Sequence, residues 1–275
     1  MTGREVLRAA IARLRAAGVA DPVRDARRLL AHALEIDPAR LTLAEGDALD
    51  PAQDARFDAA ITARAARQPV SQITGWRDFH GHRFRVTRDT LDPRPETETL
   101  VEAASALPWQ SVLDLGTGTG AILISLLAAR PTARGLGVDV SPAALDIAGE
   151  NARRLGVSAD FLLSDWFGAV TGRFDLITSN PPYIALAEMA DLSAEVRDWE
   201  PHLALTDGGD GLQAYRLIAA GMWDHLTPGG RVLVEIGGAQ ADDVVAIFAA
   251  MDARTQVLTD LDGRDRVISA CFAAE

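Results

Sequence analysis

The first part of the chain carries apolar residues at helical spacing, interrupted by start and stop signals. Between Val6 and Leu14 these residues fall on one helical face, and Gly18 ends the pattern. Asp-Pro pairs begin at positions 21, 37 and 50. They are typical helix starts, because Asp caps the first free N–H groups and Pro fits the first turn. The spacing predicts a small helical bundle over residues 1–68, and we expect this domain to dock a substrate.

Beyond Pro69, apolar residues on both sides of a His80-Gly81-His82 turn replace the helical spacing. They are Val70, Ile73, Trp76 and Phe79 before the turn, and Phe84 and Val86 after it. This arrangement predicts a β-hairpin, and we expect residues 69–90 to link two domains. The stretch from Asp92 to Glu98 follows, and its prolines predict an irregular loop. That loop either covers a cofactor or simply caps a linker helix.

Residues 91–275 form the second predicted domain, in which strand and helix patterns alternate. Strands are expected over residues 112–115, 135–140, 161–163, 174–178, 231–236, 255–258 and 266–272. Such alternation predicts an α/β fold with a seven-stranded, mostly parallel sheet and helices on both faces. Sheets of this kind bind ligands beyond the carboxyl ends of their strands.

Composition narrows the class of protein. Hydrophobic residues make up 48% of the chain and charged residues 24%, as in globular proteins. No apolar run approaches the ~20 residues of a membrane span, and the first residues lack a signal-peptide core. A single cysteine, Cys271, leaves no internal disulfide, and no Cys/His spacing suggests a metal site. We therefore expect a cytoplasmic protein without membrane association or metal.

The net charge of −12 is unevenly distributed. Residues 1–88 hold 15 arginines and 11 acidic residues, whereas the remainder holds 12 arginines and 28 acidic residues. The net negative charge of the remainder is unfavourable for binding the phosphates of nucleic acid, so no direct nucleic-acid binding is expected. The mildly basic first part either faces an acidic partner or reflects ordinary variation.

A glycine-rich stretch, Asp114–Gly120, follows the first strand of the second domain and opens a helix. Its glycines let the backbone turn tightly and approach a ligand closely. Nicotinamide and flavin enzymes use glycine-rich loops in the same way, but the glycine spacing here differs from their Gly-x-Gly-x-x-Gly pattern. The candidate cofactor contacts are Gly116, Thr117, Gly118, Thr119 and Gly120.

Two further strand ends carry groups that suit a nucleoside. Asp139 ends the second strand, where its carboxylate can accept hydrogen bonds from both ribose hydroxyls. Asp165 and Trp166 follow the third strand, where they can bind an adenine amine and stack on its ring. Each residue alone also suits a helix cap, a turn or a core position. Together, with no clear place for a pyrophosphate, they favour S-adenosylmethionine over NAD.

The strand over residues 174–178 ends at a rigid polar corner, Asn180-Pro181-Pro182-Tyr183. Prolines donate no ladder hydrogen bonds, and the residue before a proline is held extended, so Asn180 lies at the strand tip. The Asn180 side-chain oxygen, the Pro181 carbonyl and the Tyr183 ring can orient a planar NH₂ group and cover its flat face. This suits an amide or an exocyclic base amine, although an ordinary Pro-Pro turn also explains the pattern.

With these motifs placed, the chain resembles the release factor glutamine methyltransferases, a family of class I S-adenosylmethionine-dependent methyltransferases. The resemblance covers nearly the whole chain. The motifs that carry it are Pro69–Gly75, Pro93–Glu98, Asp114–Gly120, Ser164–Trp166, Asn180–Tyr183 and Gly263–Arg266. The family often has Asp where Glu96 stands, a change that keeps the charge.

The resemblance implies a Rossmann-like methyltransferase domain that methylates the amide nitrogen of the glutamine in the Gly-Gly-Gln motif of peptide chain release factors. It implies cofactor contacts from Gly116 to Gly120 and from Asp139, Trp166 and Asn180. Asn180, Pro181, Pro182 and Tyr183 would hold the substrate glutamine, with Asn180, Pro181 and Tyr183 at the reacting amide.

Three other functions fit parts of the pattern. A sibling enzyme would act on a glutamine of a large-subunit ribosomal protein, using the same motifs. A nucleic-acid adenine methyltransferase also suits Asn180–Tyr183, but it would need a flipped base and a basic cleft. A non-catalytic S-adenosylmethionine-binding protein would have no need of an amide-orienting corner. Residues 184–207 are a candidate for a loop that orders with substrate.

Overall fold

The helical pattern of the first residues folds as expected in the computed structural model, which describes residues 1–272. The chain divides into two units: Met1–Trp76 together with Ser193–Trp199, and the remainder. The first unit contains α1 (Gly3–Ala16), α2 (Pro22–Ala33), α3 (Leu41–Ala44), α4 (Pro51–Ala65) and α5 (Val70–Thr74), with a 3₁₀ turn at Pro38–Arg40. Side-chain caps begin the longer helices, from Thr2, Asp21 and Asp50. Their apolar faces bury Leu14, Leu29, Leu30 and Ile61 in one core.

The start of the predicted hairpin is wrong, because Val70–Thr74 is a short helix and not part of a strand. Helical spacing places Val70 and Ile73 on one face, where both pack against the core of the helical unit. Gly75 ends the helix in the left-handed conformation at a φ of 81°. The hairpin itself is confirmed with shorter strands, β1 (Trp76–Phe79) and β2 (His82–Arg85).

The segment Ser193–Trp199, which contains α9 (Ala194–Trp199), belongs to the helical unit although it lies far along the chain. The Glu195 carboxylate accepts hydrogen bonds from Arg64 Nη2 at 2.9 Å and from Arg67 Nε at 2.8 Å. Burial alone would raise the pKa of Glu195, but the two guanidinium groups lower it to about 2. This ion-pair cluster therefore holds the segment in the helical unit.

The second unit is built on the seven-stranded sheet that the sequence predicts. Its strands are β3 (Ser111–Leu115), β4 (Arg134–Asp139), β5 (Asp160–Leu163), β6 (Phe174–Ser179), β7 (Leu226–Glu235), β8 (Ala253–Thr259) and β9 (Asp265–Phe272). The spatial order is β5-β4-β3-β6-β7-β9-β8. Strands β3 to β7 run parallel, and β9 is antiparallel to both β7 and β8. The prediction of a mostly parallel α/β sheet is confirmed.

Helices cover both faces of this sheet. They are α6 (Glu98–Ser105), α7 (Ala121–Ala129), α8 (Pro142–Leu155), α10 (Gln213–His225) and α11 (Ala241–Ala249). Alternate residues of a strand point to opposite faces, so Leu176 joins the core under α6 and α7 while Ile177 joins the core under α10 and α11. The central strands β3 and β6 are therefore buried on both sides, which explains their nearly continuous apolar runs.

Strand β3 marks the point where the strand order reverses, because it pairs with β4 on one side and β6 on the other. The chain after β3 leaves toward α7, and the crossovers on the two sides of β3 diverge. A crevice opens at such a switch point, beyond the carboxyl ends of the strands. The fold thus places the ends of β3, β4 and β6 around one cleft.

At the amino ends of the strands, opposite the cleft, Asp175 joins β6 to neighbouring segments of the chain. Its carboxylate accepts hydrogen bonds from the backbone N–H groups of Gln110 and Ser111 at 2.9 and 3.0 Å, and from the Thr227 hydroxyl at 2.8 Å. Burial opposes ionisation of this group, but these donors outweigh it and lower the pKa of Asp175. This carboxylate therefore stabilises the sheet at the edge away from the cleft.

We expect Asp175→Asn to lower the free energy of unfolding at neutral pH by about 1–3 kcal/mol, because an amide turns an N–H group toward the donors that now face a carboxylate. Urea unfolding measures the effect. Asp160→Asn, at an exposed position of β5, is the matched control and should leave stability unchanged. Equal stability of both variants would contradict the assignment.

Candidate active site

A cavity of about 520 Å³ opens at the carboxyl ends of the parallel strands. Four successive strands contribute to its lining. Gly116, Thr117, Gly118 and Thr119 follow β3, Asp139 ends β4, Asp165 and Trp166 follow β5, and Asn180 follows β6. The volume is in the range of small-molecule and cofactor sites. Residues predicted from separate strand ends are thus neighbours in one cavity.

The glycine-rich loop is tied directly to the next strand end. Gly118 N–H donates to Asp139 Oδ2 at 2.9 Å, and Ser141 N–H donates to Asp139 Oδ1 at 2.9 Å. Gly116 and Gly118 adopt positive φ angles of 68° and 55°, which favour glycine. Both carboxylate oxygens of Asp139 are therefore held in place, and each keeps a free lone pair for a ligand hydroxyl.

Asp114 supports this loop from beneath, a role that the sequence analysis did not assign. It is fully buried in β3, and its carboxylate accepts hydrogen bonds from the hydroxyls of Thr117 at 2.7 Å and Thr178 at 2.8 Å. Burial raises the pKa of Asp114 to about 7, although the two hydroxyls oppose the shift. A single carboxylate among the apolar residues Val112, Leu113 and Leu115 is the sequence signal that could have identified it.

Asn151 on α8 supports the loop from another direction. It is buried, and its amide nitrogen donates to the carbonyl oxygens of Thr119 at 3.0 Å and Arg85 at 3.1 Å. Its side-chain oxygen accepts from Arg85 N–H at 2.7 Å. This amide therefore joins the glycine-rich loop to the end of β2. Its helical position gave no sign of the role, because the partners are distant in sequence.

The turn after β5 presents Asp165 and Trp166 to the cavity. Trp166 has a φ of 47°, and the Ser164 hydroxyl donates to its carbonyl oxygen at 2.8 Å. The Ser164 oxygen also accepts from Ala169 N–H at 3.0 Å. These bonds stabilise a backbone conformation that is unfavourable for a bulky residue, and they hold the indole at the cavity.

Asn180 lies one residue beyond β6, and its side-chain amide is oriented by Thr97. Asn180 Nδ2 donates to Thr97 Oγ1 at 3.2 Å. Asn180 Oδ1 is buried and has no hydrogen-bond partner among the described residues. Buried acceptors normally have partners, and an unpaired one costs about 1–3 kcal/mol. The unpaired oxygen is thus a ready acceptor for a donor that enters the cavity.

Three residues of the predicted site are not among the described residues that line the cavity: Gly120, Pro181 and Tyr183. Gly120 has a φ of 77°, and a Cβ atom there would come within 2.8 Å of Ile124. Helix packing is therefore sufficient to explain this glycine. Tyr183 packs against the core under α10 and α11, and burial raises its pKa to about 12, so its phenol stays neutral. Pro182 does line the cavity.

The loops around the mouth are joined by an ion pair between Arg94 and Glu200. Arg94 Nη2 donates to both carboxylate oxygens of Glu200, at 2.7 and 2.6 Å. Burial raises the pKa of Glu200 to about 7, while Arg94 opposes the shift. The neighbouring Pro93 and Pro201 both line the cavity. The pair thus connects the proline-rich loop to the segment that includes Leu203 and Asp207.

The cavity lining is acidic. Its charged residues are Asp89, Asp92, Asp139, Asp165 and Asp207, and no arginine or histidine belongs to the lining within residues 1–272. Such a surface attracts a cation and repels a pyrophosphate. The described residues contain no cluster of His, Cys, Asp and Glu able to hold a metal ion. None of the described helices is long and apolar enough to cross a membrane.

The fold is that of the Rossmann-like methyltransferases, and a family model of methyltransferases matches part of the chain. A solved methyltransferase from Pyrococcus furiosus has the same fold, with a TM-score of 0.53 and 17% identity, covering 69% of this chain and 89% of that one. Family models match at residues 5–75, "PrmC N-terminal domain", and at residues 87–197, "Methyltransferase small domain".

Full-length relatives narrow the class further. The release factor glutamine methyltransferase of Cereibacter sphaeroides is 63% identical over 277 residues, covering 100% of both chains. The enzyme of the same name from Rhodospirillum rubrum is 45% identical and covers 94% of this chain and 81% of its own. The chain belongs to the release factor glutamine methyltransferase family, which confirms the resemblance. These relatives do not favour a ribosomal-protein or adenine methyltransferase.

We expect the stability contributed by Asp114 to depend on pH. Its pKa is raised in the folded state, so the folded protein holds this proton more tightly than the unfolded chain. The free energy of unfolding therefore falls as pH rises from the unfolded pKa of about 4 to about 7, by at most about 1.4 kcal/mol per pH unit.

Asp114→Asn removes this titration, so its stability should vary less over the same pH window than that of the wild-type protein. Urea unfolding at several pH values measures the difference. Asp146→Asn, on the more exposed surface of α8, is the control. Parallel pH curves for the wild-type and Asp114→Asn proteins would show that Asp114 does not titrate in this window.

Proposed function

We propose that the chain transfers a methyl group from S-adenosylmethionine to the side-chain amide nitrogen of the Gly-Gly-Gln glutamine in peptide chain release factors. The names of its full-length relatives support this substrate. The observation that carries the chemistry is the buried, unpaired Asn180 Oδ1 at a cavity on the carboxyl edge of the sheet. An acceptor of this kind suits a substrate that brings an N–H group.

The acidic lining supports S-adenosylmethionine as the cofactor. Its sulfonium is a cation, whereas a dinucleotide would bring a pyrophosphate beside five aspartates. In the proposal, the loop from Gly116 to Gly120 approaches the cofactor, and Asp139 accepts hydrogen bonds from the ribose hydroxyls. Asp165 and Trp166 hold the adenine. When bound, the cofactor supplies an activated methyl group, so the protein mainly aligns the reacting atoms.

Asn180 and Pro181 would orient the substrate amide. Its nitrogen is a weak nucleophile, because its lone pair is delocalised into the carbonyl group. Asn180 Oδ1 and the Pro181 carbonyl would each accept a hydrogen bond from one N–H group of the substrate amide. These hydrogen bonds increase electron density on the nitrogen, and they strengthen as positive charge develops there. The methylated nitrogen is acidic enough to lose its proton to solvent, so no general base is needed. A neutral Tyr183 fits a packing role at the amide plane, alongside Pro182.

The N-terminal part completes the proposal. Residues 1–68 would form a substrate-docking domain, residues 69–90 a linker and residues 91–275 the methyltransferase domain. The excess of arginines over acidic residues among the first 88 residues supports docking of an acidic protein surface. The partner is then a protein, without direct nucleic-acid or membrane contact, and the enzyme acts in the cytoplasm, where release factors work.

The direct test is methyl transfer from labelled S-adenosylmethionine to a purified release factor. A factor whose Gly-Gly-Gln glutamine is replaced by alanine is the matched control. We expect label on the wild-type factor and none on the variant. Label on both factors would place the methyl group elsewhere and overturn the assignment of the glutamine.

We expect Asn180→Ala to lower kcat by about 10²–10³-fold, because one of two acceptors for the substrate amide is lost. Single-turnover transfer measures the rate, and calorimetry measures S-adenosylmethionine binding, which should persist. Gln110→Ala, an exposed amide at the other edge of the sheet, is the control. Full activity of Asn180→Ala would remove this residue from the mechanism.

A further inference from the structure

The corner from Asn180 to Tyr183 is held by hydrogen bonds at its two ends. The two prolines between these residues have no backbone N–H group, so neither can be fixed by donating a bond. At the first end, Asn180 Nδ2 donates to Thr97 Oγ1. At the other end, the Tyr183 carbonyl oxygen accepts from Gln240 Nε2 at 2.9 Å. The mechanism above uses the corner but assigns no role to Gln240.

Gln240 caps the start of α11, and its side chain folds back on the turn that precedes this helix. Its backbone N–H donates to the Gly237 carbonyl oxygen at 3.0 Å, and Gly237 N–H donates to Gln240 Oε1 at 3.0 Å. A backbone N–H can only donate, so it determines which end of the Gln240 amide is the oxygen. The NH₂ group must then face the Tyr183 carbonyl. The turn itself therefore orients the donor that holds the corner.

Gly211 brings a third segment to the same carbonyl group. It is buried and has a φ of 77°, and a Cβ atom at this position would collide with the Tyr183 carbonyl oxygen. Its own carbonyl oxygen accepts a longer bond from Gln240 Nε2, at 3.4 Å. Its N–H donates at 3.1 Å to Asp207 Oδ1, and Asp207 lines the cavity. The Gln240 amide thus lies where the corner, the loop from Asp207 to Gly211 and the turn before α11 meet.

We propose that Gln240 is a positioning residue for methyl transfer, because its side-chain amide holds the Tyr183 carbonyl and thereby the part of the corner that faces the substrate amide. Gln240 is not among the described residues that line the cavity, so it acts through the corner and not by contact with a ligand. This inference deepens the proposed function and rests on it for its catalytic consequence. The hydrogen bond itself belongs to the protein alone and can be measured without substrate or cofactor.

The position of the far end of the corner matters because two acceptors must reach one nitrogen. In the proposed function these are Asn180 Oδ1 and the Pro181 carbonyl, and a misplacement of about 1 Å can cost 10²-fold in rate. Loss of the Gln240 bond lets the two acceptors move relative to each other. Ile184 N–H still donates to the Leu205 carbonyl oxygen at 2.9 Å, so the following segment stays attached. We therefore expect a variant of Gln240 to fold and to lose catalytic precision.

The chain contains two tyrosines, Tyr183 and Tyr215, which makes the hydrogen bond directly observable. Labelling with tyrosine that carries ¹³C at the carbonyl gives two backbone carbonyl signals, and Tyr183→Phe identifies one of them. A hydrogen bond deshields the carbonyl carbon that accepts it. We therefore expect Gln240→Ala to move the Tyr183 signal upfield. Tyr215 lies within α10, and its unchanged signal is the internal control for folding.

Kinetics then test the consequence for catalysis. Gln240→Glu keeps the size of the side chain and an oxygen for Gly237 N–H, but an ionised carboxylate cannot donate to the Tyr183 carbonyl. Gln240→Ala and Gln240→Glu should both lower kcat by roughly 10-fold to 10²-fold, while the affinity for S-adenosylmethionine, measured by calorimetry, stays within twofold of wild type. Gln256→Glu, which makes the same charge change at an exposed glutamine of β8, is the matched control.

Two glycines test the contact from the opposite side. Gly208 and Gly211 have nearly equal φ angles, 78° and 77°, but no atom lies within 4 Å of a Cβ atom added at Gly208. Backbone strain is therefore similar in the two alanine variants, and only Gly211→Ala pushes on the Tyr183 carbonyl. We expect Gly211→Ala to lower kcat and to move the Tyr183 carbonyl signal, and Gly208→Ala to do neither.

An unchanged Tyr183 carbonyl signal in Gln240→Ala would overturn the inference, as would wild-type kcat in both Gln240 variants. The two proposals fail separately. If the Tyr183 signal moves as expected but the wild-type protein transfers no methyl group to a release factor, the contact stands and the substrate assignment fails. If the wild-type protein methylates the release factor and both Gln240 variants do so at the same rate, only the positioning role is lost.

Discussion

The parallel alignment of β3, β4, β5 and β6 is the constraint on which the rest of the second unit depends. Parallel strands bring their carboxyl ends to one side of the sheet, so residues up to 64 positions apart, from Gly116 to Asn180, meet around one cleft. The reversal of strand order at β3 opens this cleft, and helices on both faces protect the strands from water. The loops at the edge are then free to carry polar groups.

Buried acidic groups then hold these loops in place. Asp114 supports the glycine-rich loop, Glu200 joins two segments at the mouth, and Glu235 is buried at the end of β7. Burial raises the pKa of each to about 7. Such groups stabilise the fold less than apolar residues would, since a buried charge loses its hydration. Their concentration at one edge of the sheet is typical of a functional site.

The cavity joins two kinds of recognition. Its aspartates create a negative field that suits a cationic cofactor, and one unpaired amide oxygen suits a neutral substrate amide. The field of the aspartates acts over several ångströms and is reduced by salt. Recognition of the substrate amide requires an oriented hydrogen bond, so it depends on the bond from Asn180 Nδ2 to Thr97 that orients the Asn180 side chain. The proposed reaction needs both, because a weak nucleophile must be aligned with an activated methyl group.

The sequence by itself determined the strand–helix alternation, the seven strands and the nucleoside-type residues at their ends, because periodicity, glycines and Asp-Pro signals are local. The proposed substrate was inferred from the resemblance to a known family. Local signals misplaced Val70–Thr74, whose apolar residues fit either a strand or a helical face; packing against the helical core decided for the helix. They also missed Asp114, Asn151 and Thr97. These residues form hydrogen bonds with Thr178, Arg85 and Asn180, which lie 64, 66 and 83 positions away, and only tertiary structure brings these partners together. The same is true of Asn180: the sequence placed it at a strand tip, but its neighbours decide which amide atom faces the cavity.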